Sequence, residues 1–334
     1  MARRPSKRHR PTPSREPIGQ AMTERPDGGL DGIVVRAYGK FFDVAIRDDA
    51  RVLLSTPKGT LKRAAKTTDL IAVGDRVWVV DVGEGEGRIE AVLPRERVLA
   101  RRARNTRDIE HVVVANLDQA VIMFALTQPD PHLRLLDRFL ILCEAQDIPA
   151  VIAINKTDLA GSPEAGAEAA LAMLADYRPT YPIVALSAVA EAGLDELRDH
   201  LRGKVTVVAG PSGVGKSSVM NRIGIDLNQA IGVLSAATGK GRHTTTAAQL
   251  FRIEPDTYVA DTPGIRALVL HGVEPDELDA CFPELRPYLG HCAYSDCTHL
   301  HEPRCAVQAA VVEGAIPIKR FESYASLRRG DTAD

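Results

Sequence analysis

Gly210-Pro211-Ser212-Gly213-Val214-Gly215-Lys216-Ser217-Ser218 follows the apolar run Val205-Thr206-Val207-Val208-Ala209 and meets every fixed position of the pattern G-x-x-x-x-G-K-[ST]. The pattern predicts a buried strand, a glycine turn and a helix from Ser218 through Ile223 whose N-terminus faces the turn. Successive backbone N–H groups and the helix dipole then form an anion cradle, with Lys216 reaching β- and γ-phosphates and the Ser217 hydroxyl on Mg²⁺. The plainer alternative, an ordinary glycine-rich turn, is disfavoured by the strand–loop–helix context that the motif requires.

Upstream of this loop, strands alternate with helices. Asp118-Gln119-Ala120-Val121-Ile122-Met123-Phe124-Ala125-Leu126 opens the series, residues 132–146 read as a helix and 150–154 as a buried strand. Ser162-Pro163 caps a helix running to about Asp176, 182–186 is a further strand, and Leu194 to Leu201 a short helix. Near-continuous apolar strands between helices predict a parallel sheet covered on both faces. Cys143 sits on the apolar face of its helix and reads as core.

At the carboxyl end of strand 150–154 stands Asn155-Lys156-Thr157-Asp158, where open α/β sheets bind ligands. Asp158 can accept from both N1–H and the exocyclic amine of guanine, which adenine cannot offer. Asn155 can orient the O6/N7 edge, and the Lys156 stem can cover the base. Ser187-Ala188 ends the next strand, and a backbone N–H there can reach guanine O6. Downstream, Tyr258-Val259-Ala260 leads into Asp261-Thr262-Pro263-Gly264, a D-x-x-G element in which Asp261 holds Mg²⁺ through water and the Gly264 N–H meets the γ-phosphate. Between the phosphate loop and D-x-x-G lies the polar loop Thr238-Gly239-Lys240-Gly241-Arg242-His243-Thr244-Thr245-Thr246, suited to be the switch, one of whose threonines, with Thr245 as the candidate, closes on Mg²⁺ and γ-phosphate.

The order of these elements is unusual. N-K-x-D and S-A precede the phosphate loop instead of following D-x-x-G, so the GTP-binding domain is circularly permuted. The segment after D-x-x-G therefore runs directly into the C-terminal residues and can pass nucleotide state to them. Ile265 stands where Ras-like enzymes place a water-orienting glutamine, which predicts slow intrinsic hydrolysis until a partner orders the switch loop. His243 is the candidate for the missing group. Gly213 occupies the loop position where potassium-dependent GTPases carry Asn, so no strong potassium requirement is expected.

The N-terminal third has a different texture. Residues 1–104 carry 22 Lys/Arg against 14 Asp/Glu, net +8, and the remaining 230 residues carry 20 against 30, net −10, so the near-neutral total of −2 hides a basic end suited to RNA. Residues 1–29 alternate Arg, Lys, Pro and Ser without apolar periodicity and read as a disordered basic tail. From Leu30, short runs such as 32–38, 41–46, 51–54 and 75–80, separated by turn signals, predict five or so strands closing a small barrel of OB type. Lys58, Lys62, Arg63 and Lys66 lie on a loop that could track a phosphate backbone. Trp78 alternates with Val77 and Val79 and points away from their face.

Near the C-terminus, Cys292-x₄-Cys297-x-His299-x₅-Cys305 offers three thiolates and an imidazole within 14 residues, enough for a closed tetrahedral structural zinc site. A catalytic zinc would keep an open position, and a disulfide would leave one cysteine over. His291 and His301 are spare donors, and Cys281 reads as a packed residue. Two helices follow, from Ala306 to about Gly314 and over 318–329, the second with basic ends suited to rRNA. No apolar run approaches the roughly 20 residues of a membrane span, and the basic N-terminus leads into Pro-rich polar sequence instead of an apolar signal core, so a cytoplasmic location and no membrane partner are expected. A monomer is expected.

The permuted order, the GPSGVGKSS loop, NKTD, DTPG, the preceding barrel and the complete Cys/His pattern together resemble the ribosome small-subunit-dependent GTPase family (RsgA, YjeQ or EngC) over about residues 30–330. The resemblance implies a late-acting assembly factor that binds the 30S subunit and its 16S rRNA and hydrolyses GTP to GDP when engaged, with hydrolysis timing release. The expected fold is multidomain α/β. A basic tail (1–29) and an OB-like β-barrel (30–104) precede a circularly permuted P-loop GTPase domain (105–272) and a zinc-binding helical module (273–334). The nucleotide would be held by Asn155 to Asp158, Ser187, Ala188 and Gly210 to Ser218. The competing readings are a nucleotide-gated RNA-binding module with incidental hydrolysis and an ATP-dependent kinase or phosphatase, the latter opposed by Asn155 and Asp158.

Overall fold

The computed structural model describes residues 24–59, 61, 71–102, 110–225, 248–261 and 273–331. Strands β1 (Gly29–Tyr38), β2 (Phe41–Ile46), β3 (Val52–Pro57), β4 (Arg76–Gly83) and β5 (Glu86–Val92) close into a barrel in the order β1-β2-β3-β5-β4-β1, with only β3 and β5 parallel. Alternation drives closure: Val34, Val44, Val77, Val79 and Ile89 point inward and are fully buried, whereas Trp78 is only partly covered, as its phase predicts. β5, which supplies the closing ladder, is poorly marked in sequence because Arg88 and Glu90 interrupt it. Glu90 is nonetheless only 6 % exposed and is held by Lys58 at 2.5 Å and Arg88 at 2.6 Å. Lys58 is thus engaged within the barrel, while Lys62, Arg63 and Lys66 lie outside the described residues.

The barrel is built into the next domain. Strands β6 (Val98–Arg102) and β7 (Glu110–Ala115) form an antiparallel ribbon, so the expected charged connector 101–110 begins and ends in strand. Arg95 grips the buried Asp75 through two hydrogen bonds of 2.7 Å, and the Asn116 amide bridges Gly74 O (3.0 Å) and the Glu96 N–H (3.0 Å). On β1, Val34 faces the barrel lumen while its neighbour Ile33 faces out, joining Ala45, Leu99 and Val114 in the core of the following domain.

That core belongs to a sheet ordered β10 (Ile183–Ala185), β9 (Ala150–Asn155), β8 (Gln119–Ala125), β11 (Val205–Ala209), β13 (Thr257–Asp261) and β12 (Gln249–Glu254). All are parallel except β12, which pairs antiparallel with β13 and, through Gln249 and Arg36, with β1 of the barrel. An all-parallel sheet was the expectation. β12 departs from it because its alternating, charged sequence QLFRIE suits an antiparallel strand that joins two units. Alternate residues of β8 and β9 feed opposite faces. Ile122, Phe124, Ile152 and Ile154 pack under α1 (Leu133–Ala145) and α2 (Pro163–Met173), and Val121, Met123, Val151 and Ala153 under α3 (Leu194–Leu201) and α4 (Lys216–Arg222). Ser162 caps α2 by accepting from the Ala165 N–H at 3.2 Å, with Pro163 in its first turn. Cys143 and Cys281 are buried, and burial pushes both thiols up to about 12, as packed residues should show.

The C-terminal helices α5 (Ala306–Val312) and α6 (Ile318–Arg329) pack with short 3₁₀ turns around Phe282, Leu285 and Tyr324. Of the basic residues at the helix ends expected to face rRNA, Arg320 and Arg328 pair within the protein. Arg320, 2 % exposed, pairs with Asp137 of α1 and with Glu284 and lies 4.8 Å from the rings of both Tyr177 and Phe282, while Arg328 pairs with Asp276 at 2.9 Å. Lys319 and Arg329 remain exposed. Removing the guanidinium leaves the buried Asp137 and the partly buried Glu284 without their cation, so Arg320→Ala should lower unfolding free energy by about 3–5 kcal/mol in urea denaturation.

Candidate nucleotide site and metal cluster

β11 delivers the chain to Gly210 at φ 143°, where a Cβ would stand 1.9 Å from the Met123 carbonyl oxygen on β8, so only glycine lets the loop cross the end of that strand. Val214 is fully buried and anchors the loop, while Ser212 and Gly213 are exposed. α4 begins at Lys216, two residues before the predicted Ser218, which puts Lys216 and Ser217 in its first turn. Lys216 Nζ arches back to the carbonyls of Gly210 (3.0 Å) and Pro211 (2.6 Å), holding its ammonium over the loop, and Ser217 and Ser218 are exposed.

Asn155 ends β9, 2 % exposed, with its amide turned toward two other loops. Nδ2 donates to Val214 O at 2.9 Å, and Oδ1 accepts from the Ala188 N–H at 3.1 Å. Gly215, at φ 90°, is required here because a Cβ would lie 2.4 Å from that Nδ2. The amide therefore ties the phosphate loop to the Ser187-Ala188 loop, where the sequence suggested contact with the base edge. Lys156, in left-handed backbone, reaches the Gln128 carbonyl, and Thr157 is buried with its N–H on Leu186 O at 3.3 Å. The Ser187 hydroxyl donates to Asp158 Oδ1 and accepts from the Ala190 N–H at 3.0 Å, which fixes the carboxylate against its loop. Lys156 and Asp158 are partly exposed.

By register, Val207 pairs with Ala260, so Asp261 ends β13 beside the strand that feeds the phosphate loop. His243, Thr245 and Gly264, together with Ile265, lie outside the described residues.

Cys292, Cys297, His299 and Cys305 bring one ligand atom each to within 4.8 Å of one another. The Cys292 and Cys305 sulfurs are 3.7 Å apart, and His299 Nδ1 is 3.5 and 3.3 Å from them. A tetrahedron with Zn–S of about 2.3 Å has edges of about 3.8 Å, so the donor set and spacing fit zinc. Two carboxylates missed in sequence support it. Asp279 Oδ2 is 3.5 Å from His299 Nε2, fixing Nδ1 as the inward nitrogen. Burial pushes the Asp279 carboxyl up, but the His299 hydrogen bond and the Ala280 N–H outweigh it, and the group lies below the usual carboxylate range. Glu302 accepts from Thr298 Oγ1 (2.5 Å) and from the N–H groups of Thr298 (2.9 Å), Leu300 (3.1 Å) and His301 (3.2 Å), closing the ligand loop. These bonds outweigh partial burial and hold its carboxyl far below its ordinary value. Glu302 lies inside the cysteine run and was findable, whereas nothing in the sequence marks Asp279. His291 and His301 are exposed and outside the cluster.

The family model described as RsgA GTPase matches residues 92–271, which include β6 to β13 and the whole nucleotide constellation. The chain belongs to the RsgA GTPase family. Similar curated proteins include the small ribosomal subunit biogenesis GTPase RsgA of Gemmatimonas aurantiaca, 43% identical over 302 residues (89% of this chain, 96% of that one), and that of Moorella thermoacetica, 41% over 295 residues (88% and 95%). Among solved structures, YjeQ from Thermotoga maritima matches with TM-score 0.71 at 33% identity, covering 90% of this chain and 98% of that one. YloQ, titled a circularly permuted GTPase, matches with TM-score 0.70 at 30% identity, covering 90% and 94%. The permuted order read from the motifs, the barrel and the Cys₃His cluster accord with this RsgA relationship. No helix among the described residues is long and apolar enough to cross a membrane.

Two outcomes follow. Asn155→Ala strands the buried Val214 carbonyl and Ala188 N–H, and titration calorimetry should show GDP affinity falling by about tenfold or more. Elemental analysis should find about one zinc per wild-type chain and none in Cys297→Ser, whose C-terminal module should melt with GDP affinity changed by less than about threefold because the cluster joins the GTPase domain through α1.

Proposed function

We propose that this chain hydrolyses GTP to GDP and phosphate while bound to the small ribosomal subunit late in its assembly, with hydrolysis timing release. The observation that carries the reading is the Asn155 amide, which joins the phosphate loop to Ser187-Ala188 although the permuted chain separates them. Site roles are assigned on that basis. Asp158 reads the guanine N1–H and amine, the Lys156 stem covers the base, and the loop from Gly210 to Ser218 cradles the phosphates with Lys216 on the β- and γ-oxygens. Ser217 and Asp261 would hold magnesium, which when bound would neutralise charge developing on those oxygens. Water attacks the γ-phosphorus, the bond to the β–γ bridging oxygen breaks, and GDP departs with phosphate. Ile265 cannot orient that water, so His243 on the loop carrying Thr245 is assigned the task once the subunit orders the loop.

The remaining assignments follow the same reading. The barrel at 30–104 and the tail at 1–29 take 16S rRNA, the GTPase domain runs over 105–272, and residues 273–334 hold one structural zinc on Cys292, Cys297, His299 and Cys305. The protein acts as a cytoplasmic monomer. The names of the relatives support the ribosomal assignment.

Steady-state phosphate release by the protein alone, with small subunits and with large subunits, using ATP as the control nucleotide, tests this. A rise on the order of 10²-fold or more, confined to GTP and small subunits, is expected by analogy with partner-activated GTPases. Equal slow rates throughout would replace it with a nucleotide-gated RNA-binding module.

A further inference from the structure

The β12–β13 hairpin lies, in sequence, between the polar loop carrying Thr245 and the D-x-x-G element. Its far side is fastened to the barrel. Arg252 of β12 donates from Nη1 to the Asp49 carbonyl at 2.6 Å and the Ile46 carbonyl at 3.4 Å, and from Nη2 to the Arg47 carbonyl at 3.3 Å, so one planar guanidinium holds three carbonyls of the β2–β3 turn. Arg47 returns the contact from the barrel side, its Nε 2.9 Å from Oδ1 of Asp256 in the hairpin turn. Gln249 pairs with Arg36 of β1, and Ala248 and Leu250 share a buried cluster with Ile33 and Ala45 of the barrel. The turn is itself stiff, with Ile46 N–H on Arg51 O (3.0 Å) and Arg47 N–H on Asp31 O (2.9 Å).

We infer that Arg252 is a positioning residue which, with the Arg47–Asp256 pair, fastens this hairpin to the barrel turn, so that nucleotide state and RNA held by the barrel report on each other through the load this joint places on the turn. The inference rests on the GTP and RNA assignments made above. Arg252 touches neither nucleotide nor RNA in this scheme. A change at either switch end of the hairpin displaces the barrel turn. By reciprocity, RNA that favours one barrel position favours one nucleotide state by the same factor. Apolar packing alone would join the two units, but it would tolerate sliding, whereas three carbonyls on one guanidinium fix the register.

Hydrogen exchange of the full-length protein tests this without any subunit. The amides of Ile46 and Arg47 are compared with GDP and with a non-hydrolysable GTP analogue, in the wild type, Arg252→Ala and Arg252→Lys, with calorimetric affinity for both nucleotides and the thermal midpoint measured alongside. The wild type should show a difference in exchange rate on the order of tenfold between the two states. Arg252→Ala should reduce it to about twofold or less with nucleotide affinities unchanged, and Arg252→Lys, which keeps the charge but not the fork, should be intermediate. The same Arg252→Ala protein should keep its basal hydrolysis and lose most of the preference of small subunits for the GTP form. A wild type that binds both nucleotides without any difference in exchange, or an Arg252→Ala protein that keeps the difference, overturns the inference and leaves the proposed function standing. A wild type that binds neither nucleotide overturns both.

Discussion

The buried amide of Asn155 is the constraint around which the nucleotide site is assembled. One side chain donates to the phosphate loop at Val214 and accepts from Ala188, drawing together segments near residues 155, 188 and 214. An unmade hydrogen bond at such depth costs about 1–3 kcal/mol per orphaned group, so the three loops have little freedom to separate. Gly215 yields its Cβ to let the amide in, and Gly210 yields its own so that the loop can cross β8. What matters chemically is the spatial convergence of strand ends, which is why the order of the motifs along the chain can be permuted without losing the site.

Around that centre the other two units attach by different means. The barrel shares strand pairing, a buried cluster and the Asn116–Gly74 hydrogen bond with the GTPase domain, and the β12–β13 hairpin pairs directly with its first strand. The C-terminal module is fastened instead to α1, through Arg320 between Asp137 and Glu284 and through Arg286 to Glu144 at 2.6 Å. The module has its own core around Phe282, Leu285, Val307 and Tyr324, and this clamp ties that core to α1. The barrel and the C-terminal module are thereby both fastened to the domain that carries the candidate nucleotide site.

Much of the site was legible because its chemistry is local in sequence. Gly210 to Ser218, Asn155 to Asp158 and Cys292 to Cys305 are each contiguous runs whose residue types have few other uses. What escaped were relations between distant residues. The loop-joining role of Asn155 depends on two partners 33 and 59 residues away, which no local run announces. Arg320 read as a surface cation on a basic helix, because nothing in the local sequence announces Asp137, 183 residues upstream. β5 and β12 were hidden by charged residues that the fold pairs, Glu90 with Lys58 and Arg88, and Arg252 with backbone carbonyls. Asp279 orients His299 from outside the cysteine run, where spacing carries no signal.

The most direct test of the guanine site is a base-exchange titration at Asp158, comparing GDP with xanthosine diphosphate. A carboxylate accepts from the guanine N1–H and amine, whereas an amide at this position accepts from N1–H and donates to the 2-oxo group of xanthine. The account predicts that the wild type selects GDP and that Asp158→Asn reverses the preference while keeping its fold by circular dichroism. Undiminished GDP affinity in Asp158→Asn, with no gain for xanthosine diphosphate, would contradict it.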